Sequence, residues 1–585
     1  MTVDPVTVEV LRNYLQRVAE EMEATVVRTA YSIGIYYSYD FACGILDPDA
    51  NVLAGSLGTP VMIHALPNAI KASYEHVGAQ NIEPEDVLFC NDPYSGGGTH
   101  GNDVVGIYPV FADDRLIGFT AFKGHVTDMG GMWPSGYFNN TNEIYQELFR
   151  VPPVKLYKRG KENDDVLRLI TANSRAPEEL MGDLRAIVSG VRTGGHRLRQ
   201  LLSKYSYETF HEAVQIILNQ SEKIAATELS KIPEGQYEGE FLLDGDGDDN
   251  SPISRAMKVH MAVTIKEGRM TIDLSQSSPQ SAGPMNSPKS NTISYARMAF
   301  KSLIDPFSPI NEGSFRILNV IVKRGTMYDP IPPAPTALWI EAAQGLTDLL
   351  FKVLSTAMPE RTCGATFGSD IVDFIYGTNP RNNRFYALVD TLQGGWGANA
   401  SSDGATLYAV SEGTATYPMV EMLEATYPLI VRRWELVQDS GGPGQLRGGL
   451  GVRREYEITH DCHITHCYER CELSPPWGVL GGKAGSMNYV EYNWKGTLEK
   501  HAKVTHRALR KGEVIAFVTG GGGGYGNPLE RQEDHVLQDV LLGYVSKLRA
   551  QEDYGVVLDL QERRVDEQAT HELRTKKKIA AVTRS

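Results

Sequence analysis

Val8, Leu11, Leu15, Val18, Met22 and Val26 recur at spacings of three and four residues, the period that keeps one face of an α-helix turned inward. Asp4 and Pro5 stand before them as a cap and a first helical residue, so the pattern predicts an amphipathic helix. Its apolar face has two available covers, the chain's own sheet or a partner. The period then changes to two. Tyr31 to Ser56 reads as a hairpin around Asp47-Pro48-Asp49, and Val104–Ala112 with Leu116–Lys123 reads as a second hairpin. Glu178–Ser203 and Tyr207–Ile232 return to helical spacing, and Pro233-Glu234-Gly235 marks a boundary. Strands are predicted at 235–245, 255–268 and 269–278, and a buried helix from Leu338 to Met358. Val536, Leu537, Val540, Leu541, Tyr544 and Leu548 mark a last helix. Beyond Arg563 the tail is polar and carries Lys576 to Lys578; it reads either as disordered or as a segment held by a partner subunit.

These elements predict a mixed α/β (α+β) chain of several domains. We expect an α/β domain over 1–233, an α+β domain over 234–430, a β-rich, glycine-containing domain over 431–530, and a helix with a polar tail over 531–585. A length of 585 residues with 42% hydrophobic content suits roughly two to four such units. The formal charge of −15 repels a phosphate backbone, and no basic stripe interleaved with aromatics offsets it, so nucleic acid is excluded as a partner. No apolar run reaches the roughly 18–20 residues that span a bilayer. The first ten residues lack the charged and apolar regions of an export signal, and six irregularly spaced cysteines suit a reducing compartment. We expect a cytoplasmic protein.

Chemistry concentrates between Phe89 and Gly131. If Asp113, Asp114 and Arg115 form a three-residue loop, Ala112 faces Leu116, and counting outward Asp103 faces His125. A two-residue loop would shift the register and turn those two side chains to opposite faces. His100 lies three residues before Asp103 in a glycine-rich approach where backbone can curl close to an ion. His100, Asp103 and His125 thus predict a site for Zn, Mn or Fe(II) with positions left open. The competing reading gives them separate structural duties in a loop, at a strand end and in the core. Asp92 and Asp128 are each either an orienter of an imidazole or a turn residue.

Three further stretches imitate sites. Asp244 to Asp249 alternates carboxylates like a calcium loop, but its twelfth position is Arg255, which favours a solvated loop. His460 to Cys471 holds three histidines and three cysteines, yet it lacks any C-x-x-C pair and falls where a strand is expected, which argues against zinc. Gly520 to Gly526 leads into Asn-Pro rather than a nucleotide-binding helix, and no phosphate loop of the form G-x-x-x-x-G-K-[ST] occurs.

NDPYSGGGTHGND from Asn91 and KGHVTDMGG from Lys123 resemble the signature of the hydantoinase B / oxoprolinase family. The resemblance continues through Gln146-Glu147, NSRAPEELMGDLRA from Asn173, Asn311-Glu312-Gly313, Pro333-Ala334-Pro335, GGWGA from Gly394, RGGLG from Arg447 and GGGGGYGNP from Gly520. It implies the metal-bearing subunit of an ATP-dependent enzyme that opens a cyclic amide: a hydantoin, 5-oxoproline or a lactam such as caprolactam. It also implies a hydantoinase A type partner that binds ATP and magnesium and phosphorylates the substrate, in an α2β2 assembly. The divalent ion, Zn or Mn, falls by motif position to His100, Asp103 and His125. Family members carry a glutamate where this chain has Tyr37, which leaves Asp40 as the remaining carboxylate ligand, with Asp92 or Asp128 as base or orienter. The same family offers a second role, a subunit of an acetone or acetophenone type carboxylase, and the missing glutamate at Tyr37 keeps open a third reading of another class, a non-catalytic scaffold.

Overall fold

The computed structural model describes residues 3–56, 58–134, 136–245, 256–409 and 418–582. Seven strands form the sheet that carries the site: β1 (Phe41–Leu46), β2 (Val52–Gly55), β3 (Val87–Cys90), β4 (Asp103–Ala112), β5 (Arg115–His125), β6 (Val154–Lys158) and β7 (Lys161–Glu162). Their order is β2-β1-β5-β4-β3-β6-β7, and every pairing is antiparallel.

Successive residues of a strand point to opposite faces, and here each face meets a different core. Val104, Tyr108, Val110 and Phe122 pack with the helices Pro5–Thr29 and Pro177–Lys204. The first helix therefore covers its own domain. Asp4 caps it through Thr7 N at 3.2 Å, and its six apolar residues are buried, each contributing about 1.5–3 kcal/mol relative to exposure. Met22 comes so close to the second helix that a side chain at Gly194 would overlap it.

Val105, Ile107, Phe119 and Ala121 point the other way, into a core shared with residues from 225 to 376. That core contains a four-stranded sheet of Gly235–Leu243, Met257–Lys266, Arg269–Asp273 and Leu318–Ile321, and the helices Lys289–Ile304 and Gly345–Leu354. The single helix expected over Leu338–Met358 is two, Trp339–Ala343 and Gly345–Leu354, with Gln344 between them.

Two larger sheets and a two-stranded one of Leu558–Asp559 and Arg564–Val565 complete the strand content of the described residues. Val372–Asn379 and Arg384–Thr391 pair with Cys462–Cys467 and Lys503–Leu509, so the boundary expected at 430/431 is crossed by strand pairing. The other sheet joins Leu429–Leu436, Val452–Ile458, Val514–Val518, Tyr489–Trp494 and Thr497–His501. The glycine runs bind one another through backbone, as in Gly442 N to Gly522 O at 2.8 Å and Gly522 N to Gly449 O at 2.9 Å. The tail departs from the disorder considered for it. Glu567–Val582 is a helix, docked where Arg574 donates to Arg531 O at 2.7 Å and to Glu533 at 3.2 Å.

Candidate metal centre

The hairpin that builds the site reaches the expected pairing by an unexpected route. Its loop has two residues, Asp113 and Asp114, both at positive φ, and Ala112 faces Arg115. On that register Asp103 and His125 would part. One irregularity restores it: Phe111 faces Leu116 while Val110 faces Gly118, so Ile117 is an extra residue in β5. From Val110 inward the pairs are those of a three-residue loop, and Asp103 faces His125.

By strand parity Asp103 and His125 share the face that looks toward the 225–376 core. His100 arrives from the glycine-rich loop, which lies so close to the end of β3 that a Cβ at Gly98 would overlap Asn91 O. The three side chains converge and are buried. His100 Nε2 lies 3.2 Å from Asp103 Oδ1 and 3.2 Å from His125 Nδ1, and His125 Nδ1 is 3.7 Å from Asp103 Oδ1. Among the described residues, these are the one group of at least three potential ligands with donor atoms within 4.8 Å of one another.

Secondary contacts fix the rings. His100 Nδ1 lies 2.9 Å from Gly136 O, which assigns the proton to Nδ1 and leaves Nε2 facing the other two side chains. His125 Nε2 sits 3.4 Å from the Asn102 amide. Asp103 Oδ2 accepts from Thr99 Oγ1, whereas Asp103 Oδ1 is buried with no hydrogen-bond donor. Burial raises the pKa of Asp103, but His100 and His125 outweigh it and hold the carboxyl well below its usual range. Burial lowers His100, and Asp103 more than reverses this; His125 is lowered, chiefly by burial. A buried, ionised oxygen without a donor, beside two imidazole nitrogens, is the donor set of a divalent cation. The residues present fit one.

These groups open on a cavity of about 50 Å³. Asp40 lines it but lies outside the trio of converging atoms. Burial, with Asp103 and Asp370 nearby, pushes its carboxyl up to about 8. Tyr37 does not line the cavity; its hydroxyl accepts from Met419 N at 3.2 Å. The two remaining carboxylates are engaged elsewhere. Asp92 accepts from Tyr94 N at 3.0 Å and Ser95 Oγ at 2.6 Å, with Arg150 at 3.6 Å, which is turn chemistry rather than support for an imidazole. Asp128 accepts from Arg175 N at 2.5 Å and pairs with its guanidinium at 3.0 Å, anchoring the loop after β5. Neither is placed to act as the base.

Sequence reasoning missed the opposite wall. Trp339, Ile340, Asp370, Val372, Phe374 and Val389 close the cavity from more than 200 residues downstream, and the Trp339 ring lies 5.9 Å from that of His100. Buried Glu147 fixes this wall by accepting from Thr141 Oγ1 at 2.6 Å, Thr336 N at 2.8 Å and Ala337 N at 3.1 Å. Lys123 was also overlooked. It lies two residues before His125, hence on its face, and is buried where Asp103 and Asp40 act on its charge. The alternation of β5 carried that signal.

The imitators are accounted for. Cys462–Cys467 is a strand; His466 Nε2 meets Tyr492 OH at 2.7 Å, and His463 stacks on His506. Asp244 accepts from the backbone N–H groups of Cys471 and Leu473, and residues 246–249 of the acidic run lie outside the described residues. No described helix is long and apolar enough to cross a membrane.

Known proteins share this architecture. The chain is 31% identical over 590 residues to a subunit of a putative D-/L-hydantoinase from Pseudomonas sp. strain NS671, covering 98% of each. It superposes on the crystal structure of the ATP-dependent caprolactamase from Pseudomonas jessenii with a TM-score of 0.91 and 29% identity, over 98% of this chain and 100% of that one. The nucleotide-free structure of an acetone carboxylase shares the fold, with a TM-score of 0.90 at 19% identity over 100% of this chain and 84% of that one. Residues 4–528 match the description Hydantoinase B/oxoprolinase, and the chain belongs to that family.

Proposed function

We propose that this chain is the metal-bearing subunit of a cytoplasmic, two-component, ATP-dependent hydrolase of cyclic amides. The observation that carries the reading is the convergence of His100 Nε2, Asp103 Oδ1 and His125 Nδ1 at the wall of a cavity with an apolar flank. Relatives described as a putative hydantoinase subunit and an ATP-dependent caprolactamase support it. The word subunit in the first of these, and the lack of a phosphate loop in this sequence, support a hydantoinase A type partner that binds ATP and magnesium, in an α2β2 assembly.

His100, Asp103 and His125 would hold a zinc or manganese ion, which when bound supplies Lewis acidity to the amide group and to water. The partner's phosphorylation of the amide oxygen weakens an otherwise unreactive bond. One water adds its oxygen to the phosphorylated carbon, the C–N bond breaks and the nitrogen leaves with a proton, which gives an acyl phosphate. A second water adds to the acyl carbon and the bond from that carbon to the phosphate oxygen breaks, so lactam, ATP and two waters end as amino acid, ADP and phosphate. The chain's own part is to bind the ring, exclude bulk water and move that proton. Asp40 and Asp370 are the carboxyls that line the cavity outside the converging atoms, and we assign Asp40 the proton at its carboxyl oxygen instead of a bond to the ion.

The co-expressed pair should consume ATP and open a lactam without bicarbonate. ATP consumption that needs a ketone and bicarbonate, with no lactam opened, would move the chain to the carboxylases. Turnover unaffected by His100→Ala would leave it a scaffold.

A further inference from the structure

The cavity has a charge pattern that ring opening by itself does not require. Outside the three converging ligands its acidic groups are the carboxyls of Asp40 and Asp370. None of the described residues that line it is a lysine or arginine, and the sequence that follows Ala409 as far as Tyr417 contains neither. Lys123 is buried near Asp103 but does not line the cavity. Asp370 itself is fixed in place: its backbone N–H donates to buried Glu341 at 3.0 Å. Facing these groups are Met62, Ile340, Val372, Phe374 and Val389.

A carboxylate entering such a site gives up water and meets like charge in return. A ring that presents its amide oxygen to the three converging ligands finds no second cation for an anionic substituent. Methylene groups, by contrast, lose water against the apolar flank at no electrostatic cost.

Resting on the ring-opening reading, we infer that the cavity takes an uncharged lactam with an aliphatic flank and rejects rings bearing a carboxylate, and that Asp370 is a residue that sets this choice. The experiment compares kcat/KM of the metal-loaded, co-expressed complex with ATP on δ-valerolactam, ε-caprolactam and 5-oxoproline. The neutral lactams should lead 5-oxoproline by about a hundredfold or more. In Asp370→Asn the ratio should narrow by about tenfold, since one repelling charge is gone while shape is kept. A merely structural role for Asp370 would lower both rates together and leave the ratio unchanged, which overturns its assignment. Preference for 5-oxoproline overturns the inference while ring opening stands. Turnover of none of the three removes the ring-opening reading, and this inference with it.

Discussion

Asp103 faces His125 across β4 and β5 because Ile117 has no partner between Val110–Gly118 and Phe111–Leu116. The geometry of the centre therefore depends on a register set near the far end of the hairpin from both histidines. Deleting Ile117 removes the bulge but leaves Asp103 opposite His125, because Gly118 then follows Leu116 and still meets Val110. Deleting Ile117 and Gly118 together moves β5 on by one residue, so that Asp103 meets Val126 and His125 turns to the opposite face. The single-deletion variant should keep bound metal, and the double-deletion variant should lose it even where circular dichroism shows a folded chain. Metal lost from a folded single-deletion variant, or kept by the double one, would show that this pairing does not set the centre.

Glu147 ties the loop at Thr141 to the backbone of Thr336 and Ala337, and through them sets the wall that carries Trp339. Glu147→Gln points an amide N–H at one of these donors, which should cost about 1–3 kcal/mol in urea unfolding at pH 7. Burial pushes the Glu147 carboxyl up to about 7. A carboxyl raised in the folded state binds its proton there more tightly than in the unfolded chain, so its contribution is present at low pH and is lost as pH rises through about 7. Stability measured from pH 4.5 to 7 should fall less steeply in Glu147→Gln than in the parent; identical slopes would contradict the assignment.

If His100, Asp103 and His125 hold an ion as proposed, protons compete with it for the same atoms. Without metal, the ionised Asp103 raises the pKa of His100, so His100 must release a proton before its Nε2 becomes a ligand. Affinity for zinc or manganese should rise with pH through and beyond the ordinary histidine range and then level off, with proton release on binding below the plateau. Titration calorimetry in buffers of different ionisation enthalpy measures both. Affinity independent of pH between 6 and 8 would contradict a histidine-based site.

How much of this was legible in the sequence follows from how far each signal extends along the chain. The first helix was legible because Val8 to Val26 repeat at helical spacing and its cover lies in the same domain. His100, Asp103 and His125 were legible as a group because a single hairpin brings them together. The route was not, since nothing in Leu116-Ile117-Gly118 marks which residue stands unopposed. Asp40 emerged only through family resemblance, and Asp92 and Asp128 looked catalytic because sequence does not show that Ser95, Arg150 and Arg175 occupy them. The wall from Trp339 to Val389 was illegible because its contacts with His100 and His125 span more than 200 residues and have no period to detect. The tail helix was missed for a different reason: its docking rests on Arg574 and buried Thr570 rather than on an apolar stripe.

The central claim is that His100, Asp103 and His125 hold one cation. Elemental analysis of the purified, co-expressed pair tests it most directly, with His100→Ala and His125→Ala beside the parent. The account predicts a single equivalent of zinc or manganese per chain in the parent, and its loss from both folded variants together with ATP-dependent turnover. A full equivalent of metal in either variant, or active parent protein without metal, would contradict it.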